Sequence, residues 1–164
     1  MRLLHFLAIT SLISTTAARA ESKNTSLYCV AEFAEGAWFN SSIKRWDGSV
    51  FRPESKFIMR ATFLRTRTDQ TTINYPIQFD DYNVTITESG SDFTIDCYRD
   101  GEGNSRIVSF NKFGRGQCKT GSMEYVFNLK TNSFLQIYSA GYKRGQDNNN
   151  DTPSISGGTC TKME

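Results

Sequence analysis

The chain has 164 residues, nineteen basic against seventeen acidic side chains, a formal charge of +2, and a single histidine, His5. So small a net charge gives no general pull toward nucleic acid or an anionic membrane surface. A histidine confined to the amino terminus excludes Ser-His-Asp and Cys-His nucleophiles, histidine metal ligation and the usual near-neutral general base from the rest of the chain.

Residues 1–20 read as a secretory signal peptide: Met1-Arg2 as a positive start, Leu3 to Ile13 as an apolar stretch interrupted by His5 and Thr10, and Ala18-Arg19-Ala20 as a small-x-small cleavage site before Glu21. The apolar part falls short of the roughly 20 residues of a membrane-spanning helix. No cysteine follows the cleavage point to carry a lipid. The expectation is an exported chain, periplasmic or extracellular, with no membrane span after cleavage. Loss of Arg2 and Arg19 leaves residues 21–164 with seventeen charges of each sign. That length fits one domain able to bury roughly 70% of its unfolded surface.

The predicted elements are strands. Irregular ones are expected at Ser26–Ala34 and Phe57–Thr66, separated by one helical turn over 40–46 capped by Asn40 or Ser41. Ile73, Tyr75, Ile77 and Phe79 then alternate with polar residues, and after a tight turn at Asp80-Asp81 so do Tyr82, Val84 and Ile86. Pro76 assigns its strand to an edge or a bulge. Beyond Ser89-Gly90, Phe93, Ile95 and Cys97 make the next alternating face, followed by a Gly101–Asn104 turn and a strand at Arg106–Phe110. Met123, Tyr125, Phe127 and Leu129 form another, linked by Lys130-Thr131-Asn132 to strands at Ser133–Tyr142 and Gly158–Met163. Gly145–Gly157 is the one long irregular segment. Short links force antiparallel neighbours. The fold class is therefore all-β: one domain, 21–164, a single antiparallel meander closing into a small barrel or a two-sheet sandwich.

Cys29, Cys97, Cys118 and Cys160 form no C-x-x-C pair, so a redox motif or a close-pair zinc site lacks its spacing. An even count in an exported chain reads as two disulfides, for which three pairings are open. Cys97–Cys118 with Cys29–Cys160 is preferred, one closing a local loop and the other tying first strand to last.

Charge is segregated: residues 40–68 carry a net +5, 69–102 a net −7 and 103–146 a net +6. The ordinary account is pairing of oppositely charged strands across their wet faces. The sharper one is a basic patch of Arg60, Arg65, Arg67, Arg106 and Arg115 that binds an anionic partner. Asp147-Asn148-Asn149-Asn150-Asp151 resembles the opening of a calcium loop, yet Thr152 and Gly158 stand where that loop needs Gly and Glu. Asp80/Asp81, Asp92/Asp96 and Asp100/Glu102 are the carboxylate sets available for acid–base work, all expected in turns or on wet faces. Gly36-Ala37-Trp38 matches the Gly-x-Trp opening of lipocalins without further lipocalin signature, so Trp38 and Trp46 are read as core anchors. Asn24, Asn40, Asn83 and Asn150 head Asn-x-Ser/Thr sequences, relevant only in a host that glycosylates exports.

Three stretches carry a resemblance: Arg45-Trp46-Asp47-Gly48-Ser49-Val50-Phe51, the hairpin Tyr125–Phe134, and the ending Asp147–Met163. They are similar to a group of small exported proteins of rhizobia and related alpha-proteobacteria. The resemblance implies a Gram-negative periplasm and supports the disulfides; it brings no activity with it.

The expectation is a non-enzymatic binding module for a small ligand or a partner protein of the envelope or medium, with no catalytic residue, cofactor or metal. A ligand is expected at the barrel mouth, near loops 36–56 and 145–157. The alternatives are a histidine-free carboxylate hydrolase of glycans, marked by two carboxylates in a cavity about 5–9.5 Å apart, and a structural envelope component, marked by a broad exposed apolar patch.

Overall fold

The alternation in the sequence becomes an antiparallel sheet of ten strands among the residues that the computed structural model describes, 23–70, 75–99, 105–139, 142 and 152–163. They are β1 (Thr25–Asn40), β2 (Arg45–Val50), β3 (Lys56–Gln70), β4 (Pro76–Glu88), β5 (Thr94–Asp96), β6 (Ile107–Asn111), β7 (Arg115–Thr120), β8 (Met123–Asn128), β9 (Ser133–Tyr138) and β10 (Ser154–Lys162). Their order is β5-β4-β3-β1-β10-β9-β8-β7, with β2 on β1 and β6 on β4. Long β1 is the spine. Its first half lies between β3 and β10, and its second half turns to β2 through Gly36↔Ser49 and Asn40↔Arg45.

The strand ladder is not closed into a barrel. Strand pairing ends at β5 on one side and β7 on the other. Between those ends lies one isolated bridge, in which Tyr98 and Lys119 exchange backbone hydrogen bonds of 2.9 and 2.8 Å. Beside it runs the Cys97–Cys118 disulfide. The second disulfide, Cys29–Cys160, joins register partners of β1 and β10. Two disulfides point to an oxidising, non-cytoplasmic location. Among the described residues no helix is long and apolar enough to cross a membrane.

Inward positions of successive strands fill the interior with rings. Phe57 meets Phe134, Tyr125 and Phe127 at centroid distances of 4.9, 5.4 and 6.2 Å, and Tyr82 packs edge-on against Phe110 and Phe63 at 5.4 and 5.5 Å. Each such ring buries on the order of 200 Å². One polar chain is enclosed with them: Ser156 Oγ donates to Gln136 Oε1 (3.0 Å), and Gln136 Nε2 donates to Tyr125 Oη (3.2 Å). Burial pushes the Tyr125 hydroxyl above its ordinary value, so it stays a neutral partner in that chain.

Several expectations are corrected. Asp80-Asp81 is no turn: β4 runs straight through it. The reason is a β-bulge at Leu64, between the pairs Phe63↔Tyr82 and Arg65↔Asp81. The extra residue keeps Phe63 with Tyr82 in the core and swings Arg65 and Arg67 onto the face of Asp81, whose charge is thereby matched. The helical turn over 40–46 is instead the β1–β2 hairpin, so most of loop 36–56 is strand. Trp38 is no core anchor, being 40% exposed. Gly36 is needed because the Pro153 carbonyl lies 2.3 Å from where a Cβ would stand. Phe93 and Ile95 flank the sheet edge and are exposed, while Cys97 is buried. Strand β7 has no counterpart among the strands that the alternation predicts. The Gly101–Asn104 turn, Ile73 and residues 145–151 of the irregular segment, with the 147–151 loop, lie outside the described residues.

Candidate anion-binding cleft

The two ends of the strand path make the most distinctive surface feature. On β7, Gly116, Cys118 and Thr120 are buried, so Arg115, Gln117 and Lys119 face out. Gly116 permits the close approach: a Cβ there would lie 2.6–2.9 Å from the Phe110 ring of β6. Ser109 is the outward neighbour of Phe110 on β6, and Tyr98-Arg99 follows directly on the disulfide-bonded Cys97. These pieces surround a cleft of about 480 Å³ lined by Arg99, Arg115, Lys119, Ser109, Phe79 and Tyr98, with Val126 of β8 and the Cys118 side of the disulfide among its walls.

Its charge is one-sided. Three cations line the cleft, and none of the described lining residues is a carboxylate. Lys119 is partly matched by Glu124, its β8 register partner, at 3.8 Å. That same Glu124 accepts a 2.6 Å bond from Gln117 Nε2. Among the described residues neither Arg99 nor Arg115 has a carboxylate partner, and both are exposed. Guanidinium groups present planar forks of donors suited to carboxylate, sulfate and phosphate oxygens.

A neighbouring cavity of about 390 Å³ shares Arg99 and Ser109 with the cleft and adds Arg65, Arg67, Asp69 and Asp81. Here the charges are matched. Asp81, 1% exposed, accepts from Ser109 Oγ (2.7 Å), Arg65 Nε (3.0 Å) and Arg67 Nε (3.2 Å). Burial pushes the Asp81 carboxyl up, but the bonds from Ser109, Arg65 and Arg67 outweigh it and hold the group below its ordinary value. Arg67 is fully engaged: Nε on Asp81, Nη2 on Ser109 (3.1 Å), Nη1 on Asp69, and its plane over Phe79 at 4.8 Å.

Two further cavities sit at opposite ends of the aromatic interior, one with Asp80, Lys112 and Lys130, the other with Glu54, Lys56 and Glu88. Both mix charges of either sign.

Of the basic patch expected from sequence, the fold brings Arg65, Arg67 and Arg115 to these adjoining cavities. Arg106 instead pairs with Asp96 at 3.1 Å, and Arg60 stands exposed on β3 opposite Ser26 and Thr85. Arg99 and Lys119 escaped sequence reading. Their signal was adjacency to Cys97 and Cys118, since the preferred pairing draws those neighbours together. The carboxylate sets do not converge: Asp80 turns away from Asp81 to meet Lys23 (3.2 Å) and Thr66, Asp96 meets Arg106, and Asp100/Glu102 lies outside the described residues. Among the described residues no group of three or more His, Cys, Asp or Glu is placed to hold a metal ion.

Fold and site together define a disulfide-linked antiparallel β protein with a cationic surface cleft. Comparison with protein-family models, curated proteins and solved structures finds no match to this chain.

Proposed function

We propose that the protein is an exported, non-enzymatic binding module whose cleft between β6 and β7 takes a small anionic ligand. The observation that carries this reading is the three-cation lining without a carboxylate among its described residues. The aromatic filling of the interior argues against a ligand held inside, and the mixed charge at either end argues against the mouths. In this reading the Tyr98–Lys119 bridge and the Cys97–Cys118 bond complete a small barrel and make the cleft its outer seam. The signal peptide and the likeness to exported rhizobial proteins favour a periplasmic setting.

A carboxylate hydrolase is the weaker reading. Asp69 and Asp81 do share a cavity, but both are tied to Arg67. A glycosidase acid must hold a proton near neutrality, whereas Asp81 is held ionised.

Calorimetric titration of the disulfide-bonded chain with inorganic phosphate and with sulfate at low ionic strength tests the proposal. Saturable binding that weakens with added salt is expected, as is a several-fold loss of affinity in Arg115→Ala and Lys119→Ala. Absence of saturable binding to either anion, and to galacturonate titrated in the same way, would refute it.

A further inference from the structure

The cleft and its matched neighbour are one continuous surface, because Arg99 and Ser109 line both. Donor bookkeeping separates the arginines of the second cavity. Arg67 has every nitrogen occupied and acts as a positioning residue for Asp81 and Phe79. Among the described residues Arg65 commits only Nε, to Asp81, and its side chain is 64% exposed. Its two terminal nitrogens have no partner among the described residues, and they line the same cavity as Arg99. Two anion positions result: one among Arg99, Arg115 and Lys119, the other between Arg65 and Arg99.

We propose, building on the anion-binding reading above, that the ligand carries two anionic groups on one molecule, one seated in each position. Joining the groups makes the second contact intramolecular and raises affinity without any new type of contact. Asp81 and Asp69 serve this arrangement by fixing the guanidinium planes, and Phe79, under Arg67, gives the strip between the positions an apolar floor. Two phosphoryl groups or two carboxylates satisfy the same donors, so the sources divide into condensed phosphates and acidic sugar oligomers.

The experiment titrates the disulfide-bonded chain with orthophosphate and pyrophosphate in one arm, and with galacturonate and its dimer and trimer in the other. In at least one arm the two-group ligand is expected to bind at least about tenfold more tightly than its one-group counterpart; the arm that shows the gain identifies the source. In Arg65→Lys, which keeps a donor for Asp81 but loses the fork, that gain disappears, so both ligands of the arm bind alike. Arg52→Ala, at an exposed pair with Glu54 away from the cleft, keeps the full gain. Equal affinity of one-group and two-group ligands in the unaltered protein overturns the two-position inference while leaving the anion cleft standing. A gain that survives Arg65→Lys overturns the assignment of the second position. If no anion binds in either arm, the underlying functional reading falls as well.

Discussion

Asp81 shows how a single residue can both organise and neutralise a surface. Its carboxylate is buried and ionised, with three side chains on two oxygens. Removing one side of such an arrangement leaves charges without their partner, which costs more than the arrangement contributes in place. Asp81→Asn is therefore expected to destabilise the protein by about 3 kcal/mol in urea unfolding at neutral pH, with solvent screening at exposed Arg65 keeping the cost from the top of the range. The pH dependence follows from a folded-state pKa that lies below the ordinary 3.8. The stabilisation is complete above the unfolded carboxyl range and disappears as pH falls through the lower folded value. The gap between wild type and Asp81→Asn should thus narrow as pH falls below the ordinary carboxyl range, and a gap that stays constant there would show that Asp81 works through shape alone.

At the scale of the strand, small residues decide which elements approach. Gly158 sits where β1 shifts register against β10, and a Cβ there would lie 2.1 Å from the Val30 carbonyl oxygen. Gly158→Ala should cost about 1–3 kcal/mol, read as a lower urea midpoint with an unchanged m-value. Gly116→Ala should cost a similar amount through Phe110, and it should also widen the seam that forms the cleft. Strands with one wet face were legible because large apolar residues recur with period two; Tyr82, Val84 and Ile86 are all buried as their spacing implies. β7 was not legible, since its inward residues Gly116, Cys118 and Thr120 are too small to make an apolar period. The paired aspartates of β4 look like a turn until the bulge at Leu64 supplies arginines, a contact from another strand that local chemistry cannot announce. Three of the five cations of the two cavities, Arg65, Arg67 and Arg115, were visible as charge. The rest of the cleft depends on a disulfide placing Arg99 beside Lys119.

For the whole molecule, the two crosslinks have different tasks. Cys29–Cys160 spans 131 residues and Cys97–Cys118 spans 21, so in the chain-entropy account they contribute about 5 and 3 kcal/mol. Replacing Cys29 and Cys160 by Ser should lower stability the more. Replacing Cys97 and Cys118 should lower it less yet weaken anion binding, because that bond holds the meeting ends of the strand path at the cleft. Equal effects of both pairs on binding would show that the cleft does not depend on the Cys97–Cys118 crosslink. The claim on which the account depends is the position of the bound anion, and nuclear magnetic resonance mapping with inorganic phosphate reads it directly. Saturating shift changes are expected at Tyr98, Arg99, Ser109, Arg115, Gln117, Lys119 and Val126, with any further ones limited to Arg65 and its neighbours in the adjoining cavity. Changes centred instead on Phe57, Tyr125 and Gln136, or scattered over the surface without saturation, would contradict it.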